Sequence, residues 1–346
     1  MPKAAASVAA SIGLMIALSL GGVAAQDKDQ SRRDLIKATA FASTSLASTP
    51  WMVGVEQGIF IKHGLNLTLK TVDTGGQLTQ GLTSGDADFI PLAFSLTLSA
   101  INQKLPVVVV AVAMGDSTGK RSDDPLTITA RKDSGVRAPS DLVGKKVGLV
   151  LAGTTREYLD AVLAARNVNP KNVTLVQVPP GGTATALQTE RIDAAVTWEP
   201  YGTMIINSVP GAYLVQRGGR FITYSSALLT RSDVIQKNPE KVRRFVAAWL
   251  EATHWTRQHP KEAGEIATRW VPGLDAGVAA AAIKHVPNDP RISGVWIKAL
   301  KDYSAQMEKR GALPGPLDVE KHIDARFLRQ ALQSGSRNLV DLEQVD

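Results

Sequence analysis

The pattern of apolar and polar positions predicts strands and helices in alternation from residue 34 to about residue 230. Residues 65–70 (LNLTLK) alternate apolar and polar side chains, as a half-buried strand does. The apolar runs at 89–94 and 107–114 are typical of buried strands. A further strand is predicted at 35–41, a loop rich in Ser and Thr at 42–50, and short helices at 51–57 and 75–84. This order indicates a mostly parallel sheet with helices on both faces.

A second region repeats this order after a polar, turn-rich segment at 115–125. Its predicted elements are strands at 126–130, 147–151, 173–178 and 194–198 and a helix at 155–166. A strand at 221–230 is expected to lead back to the first region. We therefore expect an α/β fold of two lobes joined by two crossings. Residues 34–118 plus 226–346 would form lobe 1 with a helical tail, and 122–223 would form lobe 2.

The chain after Pro239 is predicted to be helical. The apolar positions of one helix face follow this proline and are Val242, Phe245, Val246, Trp249 and Leu250. Pro239 suits the first turn of a helix, and Pro260 ends the segment. Further helices are expected at 261–270, 275–285, 293–310 and 317–333.

Two segments, one in each predicted lobe, resemble each other. Gly75-Gly76 is followed by Leu82, Asp88 and a strand, and Gly181-Gly182 is followed by Leu187, Asp193 and a strand. Two lobes of similar construction would produce this echo. The match is short, so coincidence stays open as the alternative.

Composition limits the classes of function. The chain has 346 residues, 44% of them hydrophobic, which suffices for one large or two medium domains. The net charge is +7, but Lys and Arg are scattered among acids. The short basic run at 241–244 favours a solvated helix face, and we expect no nucleic-acid partner. The sequence has no cysteine, which excludes disulfides, thiolate zinc sites, cysteine nucleophiles and a lipid-modified cysteine.

The N-terminus predicts a secretory signal peptide at 1–25. Lys3 precedes an apolar stretch, small residues stand at 23–25, and a polar segment follows, so cleavage is expected near Ala25. A transmembrane anchor is the alternative, but the strongly apolar part is short for a span. Residues 31–37 (SRRDLIK) also resemble a twin-arginine export motif, although 38–48 are too polar to complete it. The choice between the two export routes stays open.

Small polar residues stand where several helices are expected to begin. The junctions are 74–77 (TGGQ), 152–155 (AGTT) and 180–183 (PGGT), and the loop at 43–49 is a fourth candidate. A helix start presents unpaired N–H groups and partial positive charge, so such junctions can hold an anion. Ordinary N-capping is the alternative for each of them. Several junctions at the carboxyl ends of strands in one α/β protein favour a ligand site.

One predicted strand of lobe 2 ends in an aromatic residue and an acid. Trp198 is a candidate wall of a ligand pocket, and Glu199 is a candidate partner for a ligand cation or donor network. Packing and a surface position are the respective alternatives. Enzyme signatures are absent: the histidines are scattered, and no metal-binding, nucleophile-elbow or P-loop spacing is found. We expect no catalytic residue, metal or cofactor.

Five segments of the chain form an ordered set of motifs: 55–65 (VEQGIFIKHGL), 82–89 (LTSGDADF), 141–148 (DLVGKKVG), 192–201 (IDAAVTWEPY) and 238–242 (NPEKV). In this order they resemble the nitrate/sulfonate/taurine (bicarbonate) family of ABC-transporter periplasmic binding proteins. Each motif is weak by itself, but together they span most of the predicted lobes. The resemblance implies a bilobed periplasmic-binding-protein fold of type II. The segment 42–50 departs from the family because it is longer and richer in Ser and Thr.

The resemblance also implies where the ligand binds. It would lie between the lobes, near the same junctions that the helix-start argument indicates. The predicted ligand-binding residues are Ser45, Thr49, Gly75, Gly76, Gln77, Ser95, Thr154, Thr155, Trp198 and Glu199. Both arguments thus lead to a shared crevice between two lobes.

The expected function is capture of a solute by hinge closure. A monomeric periplasmic protein would bind a small anion, with an organosulfonate as the first candidate, and deliver it to an ABC permease in the inner membrane. A pyrimidine precursor or an aromatic acid is the alternative ligand. A periplasmic ligand sensor, or an enzyme on the same fold such as a pyrimidine-precursor synthase, is the alternative function.

Overall fold

The computed structural model describes residues 35–334 and 341–342. The predicted signal peptide and the two arginines of the twin-arginine motif lie outside the described residues. No helix among the described residues is both long and apolar enough to cross a membrane.

Strands and helices alternate through both predicted lobes. The strands are β1 (Ile36–Ser43), β2 (Leu65–Val72), β3 (Ile90–Ala93), β4 (Val107–Met114), β5 (Leu126–Ala130), β6 (Lys146–Leu149), β7 (Thr174–Gln177), β8 (Ala194–Trp198), β9 (Tyr213–Arg217) and β10 (Ser226–Arg231). The helices of these lobes are α1 (Thr49–Glu56), α2 (Ile59–Lys62), α3 (Gly75–Ser84), α4 (Phe94–Asn102), α5 (Thr154–Ala165), α6 (Thr183–Gln188) and α7 (Tyr201–Ser208). The C-terminal helices are α8 (Ser232–Lys237), α9 (Pro239–Gln258), α10 (Pro260–Ala267), α11 (Ala276–Ala282), α12 (Gly294–Lys309) and α13 (Arg326–Ser334).

The described strands form three sheets. In the first, β1 pairs in parallel with β2, and an isolated parallel bridge joins Ala40 of β1 to Phe89, just before β3. In the second, β10 lies between β3 and β4. The third has the order β7-β6-β8-β5-β9. We call the part built on the first two sheets lobe 1 and the part built on the third lobe 2. The precise residues at which one lobe passes into the other stay predictions.

The sheets contain parallel and antiparallel pairs. The parallel pairs include β1 with β2 and β6 with both β7 and β8. In contrast, β5 and β10 are antiparallel to both of their neighbours. These are the first strands after the two segments predicted to cross between lobes. Neither of them pairs with the strand that precedes it along the chain: β5 pairs with β8 and β9, and β10 pairs with β3 and β4. The sheets are therefore less parallel than the sequence predicts.

The strand predicted at 89–94 is present but shorter at its carboxyl end, because Phe94 already belongs to a helix that was not predicted. The strand β3 ends at Ala93, and α4 begins at Phe94. The Phe94 ring is buried edge-on against Trp296 and Tyr303 of α12, with centroid distances of 5.1 and 5.9 Å. A helix buried on several sides produces the same apolar run as a buried strand, so the pattern alone could not separate them.

The structure also differs from the sequence prediction in several short helices and strands. The helix α7 and the strand β9 were not predicted, and the strand expected at 221–230 begins only at Ser226. The helix expected at 275–285 ends as an α-helix at Ala282, and the one expected at 317–333 begins only at Arg326 after a short 3-10 turn.

The predicted apolar face of α9 packs into the core of lobe 1. All five of its predicted positions are buried: Val242, Phe245, Val246, Trp249 and Leu250. The Trp249 indole donates a hydrogen bond of 2.9 Å to the carbonyl of Val112 on β4. The prediction for α9 is confirmed, and this helix anchors the C-terminal segment to lobe 1.

The two resembling segments repeat the same pair of hydrogen bonds at their aspartates. The Asp88 amide donates to the Thr39 carbonyl at 2.7 Å, and the Asp88 carboxylate accepts from the Thr39 amide at 3.0 Å. In lobe 2, Asp193 makes the same two contacts with Lys146, at 2.7 and 2.9 Å. Because both backbone and side chain repeat, the echo in the sequence reflects similar construction of the lobes.

Candidate functional site

A cavity of about 300 Å³ lies between the two lobes. The residues from lobe 1 and the segment leading into β10 are Ser43, Ser45, Ala47, Ser48, Asp73, Thr74, Gly75, Leu78, Pro91, Leu92, Ala93, Ser95, Leu96, Met114, Tyr224 and Ser226. The residues from lobe 2 are Val150, Ala152, Gly153, Thr154, Thr155, Gln177, Pro179, Pro180 and Trp198. Most of these positions follow the carboxyl ends of strands, where open α/β sheets bind ligands.

The predicted ligand-binding residues divide into two groups. Those that line the cavity are Ser45, Gly75, Ser95, Thr154, Thr155 and Trp198. Those that do not line it are Thr49, Gly76, Gln77 and Glu199. The structure thus brings the loop after β1 and the starts of three helices to one place. Whether the first group contacts a ligand stays a prediction.

The start of α3 is occupied by its own cap. The Gln77 amide donates to the Thr74 hydroxyl at 3.2 Å, and the Gln77 side-chain oxygen accepts from the Thr74 amide at 3.0 Å. This reciprocal pair is a capping box. A Cβ at Gly75 would lie 2.2 Å from Leu96 Cδ1, so a larger residue here requires the Leu96 side chain to shift. At this junction the capping alternative describes the geometry better than an anion cradle.

The start of α4 has no side-chain cap. Its second residue, Ser95, is 6% exposed, and its hydroxyl has no hydrogen-bond partner among the described residues. The first N–H groups of a helix have no acceptor within the helix. A buried hydroxyl without a partner costs about 1–3 kcal/mol. The cavity wall therefore contains a group that gains stability when an acceptor reaches it.

The start of α5 is also uncapped and comes from the other lobe. Its N-cap residue, Gly153, has a φ of 87°, which glycine adopts without strain. No atom lies within 4 Å of the position that a Cβ would take there. The Thr155 hydroxyl donates to the Val150 carbonyl at 2.8 Å, so backbone amides are the main donors at this end. Helix starts from both lobes therefore line one cavity.

Three serine hydroxyls form a cluster at the end of β1 and in the loop that follows it. The Ser43 hydroxyl lies 2.9 Å from that of Ser45 and 3.0 Å from that of Ser48. Two hydrogen bonds join three hydroxyl groups, so one hydroxyl hydrogen remains for another acceptor. Ser43 and Ser48 were not among the predicted site residues, although they belong to the Ser/Thr-rich loop.

Two of the predicted residues outside the cavity have structural contacts. The Thr49 hydroxyl is buried and donates to the Leu46 carbonyl at 2.8 Å. The Glu199 carboxylate is buried in lobe 2, where it lies 2.5 Å from Arg217 and accepts hydrogen bonds from the amide and hydroxyl of Thr203. These contacts use the polar atoms that the prediction assigned to the ligand.

One hydrogen bond joins the lobes beside the cavity. The Tyr201 hydroxyl of α7 donates to the Thr44 carbonyl at 3.0 Å, and the Thr44 hydroxyl donates to Asp73 at 3.0 Å. Burial raises the pKa of Tyr201, the Thr44 hydrogen bond lowers it, and the Asp73 charge raises it. Burial raises the pKa of Tyr224 to about 12. Both phenols are therefore protonated donors at neutral pH.

Comparison with known proteins shows which family the chain belongs to. A model of the family described as NMT1/THI5 like matches residues 46–263. The chain belongs to this family. The taurine-binding periplasmic protein of Escherichia coli is 23% identical over 339 residues, which cover 86% of this chain and 99% of that protein. The resemblance noted in the sequence is thus confirmed.

Solved structures confirm the bilobed fold of this NMT1/THI5-like protein. The alkanesulfonate-binding protein SsuA of Xanthomonas axonopodis pv. citri, bound to MOPS, superposes with a TM-score of 0.72 at 17% identity and covers 84% of this chain and 98% of that chain. The desulfurization enzyme DszB also shares the fold, with a TM-score of 0.65 at 17% identity, covering 86% of this chain and 99% of that chain. The fold alone therefore does not separate binding proteins from enzymes.

Several residues of the cavity were missed in the sequence. Met114 ends β4 and Asp73 follows β2, so the rule that ligands meet the carboxyl ends of strands could have found both. Tyr224 and Leu96 gave no such signal, because one lies in an irregular segment and the other in a helix that was not predicted.

Proposed function

We propose that this protein is the periplasmic solute-binding component of an ABC importer. It binds a small ligand with an anionic group, an organosulfonate in the first instance, in the cavity between the lobes and delivers it to the permease. The bilobed fold and the sulfonate- and taurine-binding relatives support this role. The predicted signal peptide supports export, by either of the two routes that the sequence leaves open.

The arrangement of the α4 and α5 starts carries the proposal. Neither has a side-chain cap, and each belongs to a different lobe. At α4 the Phe94 amide donates to the Ser225 carbonyl at 3.1 Å, and the next residue, Ser95, adds a buried hydroxyl without a partner among the described residues. An anion near a helix start gains about 0.3–1 kcal/mol, and up to about 2 kcal/mol when partly buried. A ligand that contacts both starts is bound more tightly when the lobes are closed, and this differential contact is what drives closure.

The apolar part of the cavity favours an organic ligand over a bare inorganic oxyanion. Leu78, Leu92, Leu96, Met114 and Trp198 line it beside the polar groups. A ligand body of carbon atoms would bury these surfaces, at about 25 cal/mol per Å² of apolar area. An aromatic acid or a pyrimidine precursor satisfies this observation as well as an organosulfonate, and so remains the alternative ligand.

Two alternative functions would use the same site, and they differ from transport in what happens to the bound ligand. A periplasmic sensor would bind the same ligand and present it to a membrane receptor, and a neighbouring gene pair for an ATPase and a permease would favour import instead. An enzyme on this fold would turn its ligand over. The sequence has no cysteine to act as a nucleophile. Formation of a product by the purified protein would contradict the binding role.

Native mass spectrometry of the purified mature protein tests the proposal. We expect a co-purified small organic anion that is lost on mild unfolding. Calorimetry against sulfonates, carboxylates, nitrate and pyrimidines then ranks the candidates. Absence of heat with every anion would defeat the anionic part of the proposal.

A matched pair of variants tests the site. Ser95→Ala removes the unpartnered hydroxyl and should weaken binding about tenfold, since a hydrogen bond to a charged group contributes about 1.5–3 kcal/mol. Ser99→Ala is the control, because the Ser99 hydroxyl lies on the same helix but donates to the Ser95 carbonyl at 2.9 Å. Equal affinities of the two variants would contradict the assignment of Ser95.

A further inference from the structure

The helix α7 is held in lobe 2 by its first turn and by one of its faces. The Glu199 carboxylate, just before the helix, accepts hydrogen bonds from the Thr203 amide and hydroxyl at 3.1 and 3.0 Å. A Cβ at Gly202 would collide with Thr127 of β5, so the helix backbone packs directly on this strand. Ile205 belongs to a buried apolar cluster of lobe 2 residues. The helix is therefore a fixed part of lobe 2.

Another face of the same helix reaches lobe 1. Tyr201 and Met204 are three residues apart, so their side chains are neighbours on the helix surface. The Tyr201 hydroxyl donates to the Thr44 carbonyl at 3.0 Å. Met204 packs against the buried cluster of lobe 1, and its Cε lies 3.5 Å from the position that a Cβ would take at Gly273, shortly before α11. One polar and one apolar contact thus join α7 to lobe 1.

The polar contact adjoins the cavity on both sides. Trp198 lines the cavity, and its ring lies edge-on to that of Tyr201 with a centroid distance of 6.2 Å. Thr44 lies between Ser43 and Ser45, two lining residues whose hydroxyls are 2.9 Å apart. Tyr201 itself is not among the described residues that line the cavity. The contact therefore joins two walls of the cavity from outside it.

We propose that Tyr201 and Met204 form a latch that holds the two lobes together around a bound solute. The solute enters while the lobes are apart, and the latch contacts form afterwards. They therefore lengthen the lifetime of the closed complex and leave the rate of association unchanged. The inference rests on the proposed function, but it does not depend on which solute is bound. Tyr201 and Met204 are thus positioning residues.

The rate of dissociation measures the latch. Butanesulfonate and 4-methylbenzenesulfonate are the probes, and tryptophan fluorescence follows their release in stopped-flow mixing, since Trp198 lines the cavity. Tyr201→Phe removes the hydroxyl and keeps the ring against Trp198. It should speed dissociation about threefold to tenfold, the contribution of one hydrogen bond, and by the same factor for both probes. The association rate should stay within about twofold of wild type.

Matched variants control for effects inside one lobe. The Tyr213 hydroxyl also donates to a backbone carbonyl, that of Val136, but both residues belong to lobe 2. Tyr213→Phe should therefore keep the dissociation rate within about twofold of wild type. For the apolar contact, Met204→Ala should speed dissociation at least about threefold, because it removes the side chain that reaches lobe 1. Met204→Leu keeps the volume and should restore a rate near that of wild type.

The latch and the proposed function fail in different ways. If the probes bind and Tyr201→Phe releases them no faster than Tyr213→Phe does, the latch is refuted and the proposed function stands. A factor that differs severalfold between the probes also overturns the latch, because it shows direct contact of Tyr201 with the ligand.

A second measurement decides the case in which neither probe binds the wild-type protein. The organosulfonate part of the proposed function then fails, and small-angle X-ray scattering of the ligand-free variants tests the latch. A larger radius of gyration for Tyr201→Phe than for Tyr213→Phe supports the latch, and equal radii overturn it.

Discussion

Replacing Glu199 with alanine removes a buried carboxylate that several donors share. Glu199 follows the cavity residue Trp198 directly, yet its own side chain is fully buried in lobe 2. It lies 2.5 Å from Arg217 and accepts from the Thr203 amide at 3.1 Å and the Thr203 hydroxyl at 3.0 Å. We expect the variant to lose stability while its intrinsic affinity for ligand is unchanged.

The contacts set the size of the effect. Breaking a buried ion pair by removing one partner costs about 3–5 kcal/mol. The Arg217 side chain is 17% exposed and keeps a contact of 3.3 Å to the Asp124 carbonyl, so part of its charge can be solvated. An estimate near the lower end, about 3 kcal/mol, is therefore appropriate. Glu199→Gln keeps the shape and one acceptor oxygen, and should cost about 2 kcal/mol.

Thermal denaturation of the ligand-free protein measures this change. At about 2 °C per kcal/mol, Glu199→Ala should lower the melting temperature by about 6 °C. Glu320→Ala is the control, because its side chain is 55% exposed and surface pairs contribute at most about 1 kcal/mol. Calorimetry well below the transition should give affinities within about twofold of wild type. A tenfold loss of affinity with an unchanged melting temperature would refute the reasoning and restore Glu199 to the site.

Two other carboxylates of lobe 2 give further predictions. Burial raises the pKa of Glu157 above its ordinary 4.5, and one of its oxygens has no partner among the described residues. The stability that Glu157 contributes is thus present below pH 4.5 and is lost as the pH rises through the folded-state value. Glu157→Gln should stabilise the protein at neutral pH by about 1 kcal/mol and flatten the pH dependence of urea denaturation above pH 4.5; an unchanged slope would contradict this. Asp193→Asn should destabilise by about 2 kcal/mol in urea, because its carboxylate accepts from the Lys146 amide and from Arg131, both at 2.9 Å; a loss below about 0.5 kcal/mol would count against it.

The bounds of a helix or strand are predicted best where residues that interrupt regular structure stand at its ends. The bounds of α3, β4, β5 and β8 agree with prediction at both ends. Glycine or a turn-rich segment marks several of these ends, and such residues interrupt regular structure. In contrast, α7 follows Pro200 with a β-branched sequence that does not favour a helix. Its helical form reflects packing against β5, β8 and α11, which no local pattern reveals.

The site was predicted as far as helix starts can be located. The position of a helix start in the sequence does not show whether neighbouring side chains cap its first amides. For α3 the answer was present in the sequence, because Thr74 and Gln77 have the spacing of a capping box. For Glu199, successive residues at a strand end point to opposite faces, so its neighbour Trp198 on the cavity already argued against it. Leu96 needed the structure, because it lies in a helix that the sequence did not predict.

The same uncapped amides also account for how a ligand could favour the closed form. The Phe94 amide already donates to the Ser225 carbonyl at 3.1 Å. When the lobes are apart, water can satisfy the Ser95 amide and hydroxyl and the first amides of α5. These groups line one cavity of about 300 Å³. In the proposed hinge closure, their access to water would be limited there. Each donor left without an acceptor there costs about 1–3 kcal/mol, so closure without a ligand is penalised. A ligand with acceptors at both starts removes that penalty only in the closed form, and this difference is the free energy that shifts the equilibrium between the two forms.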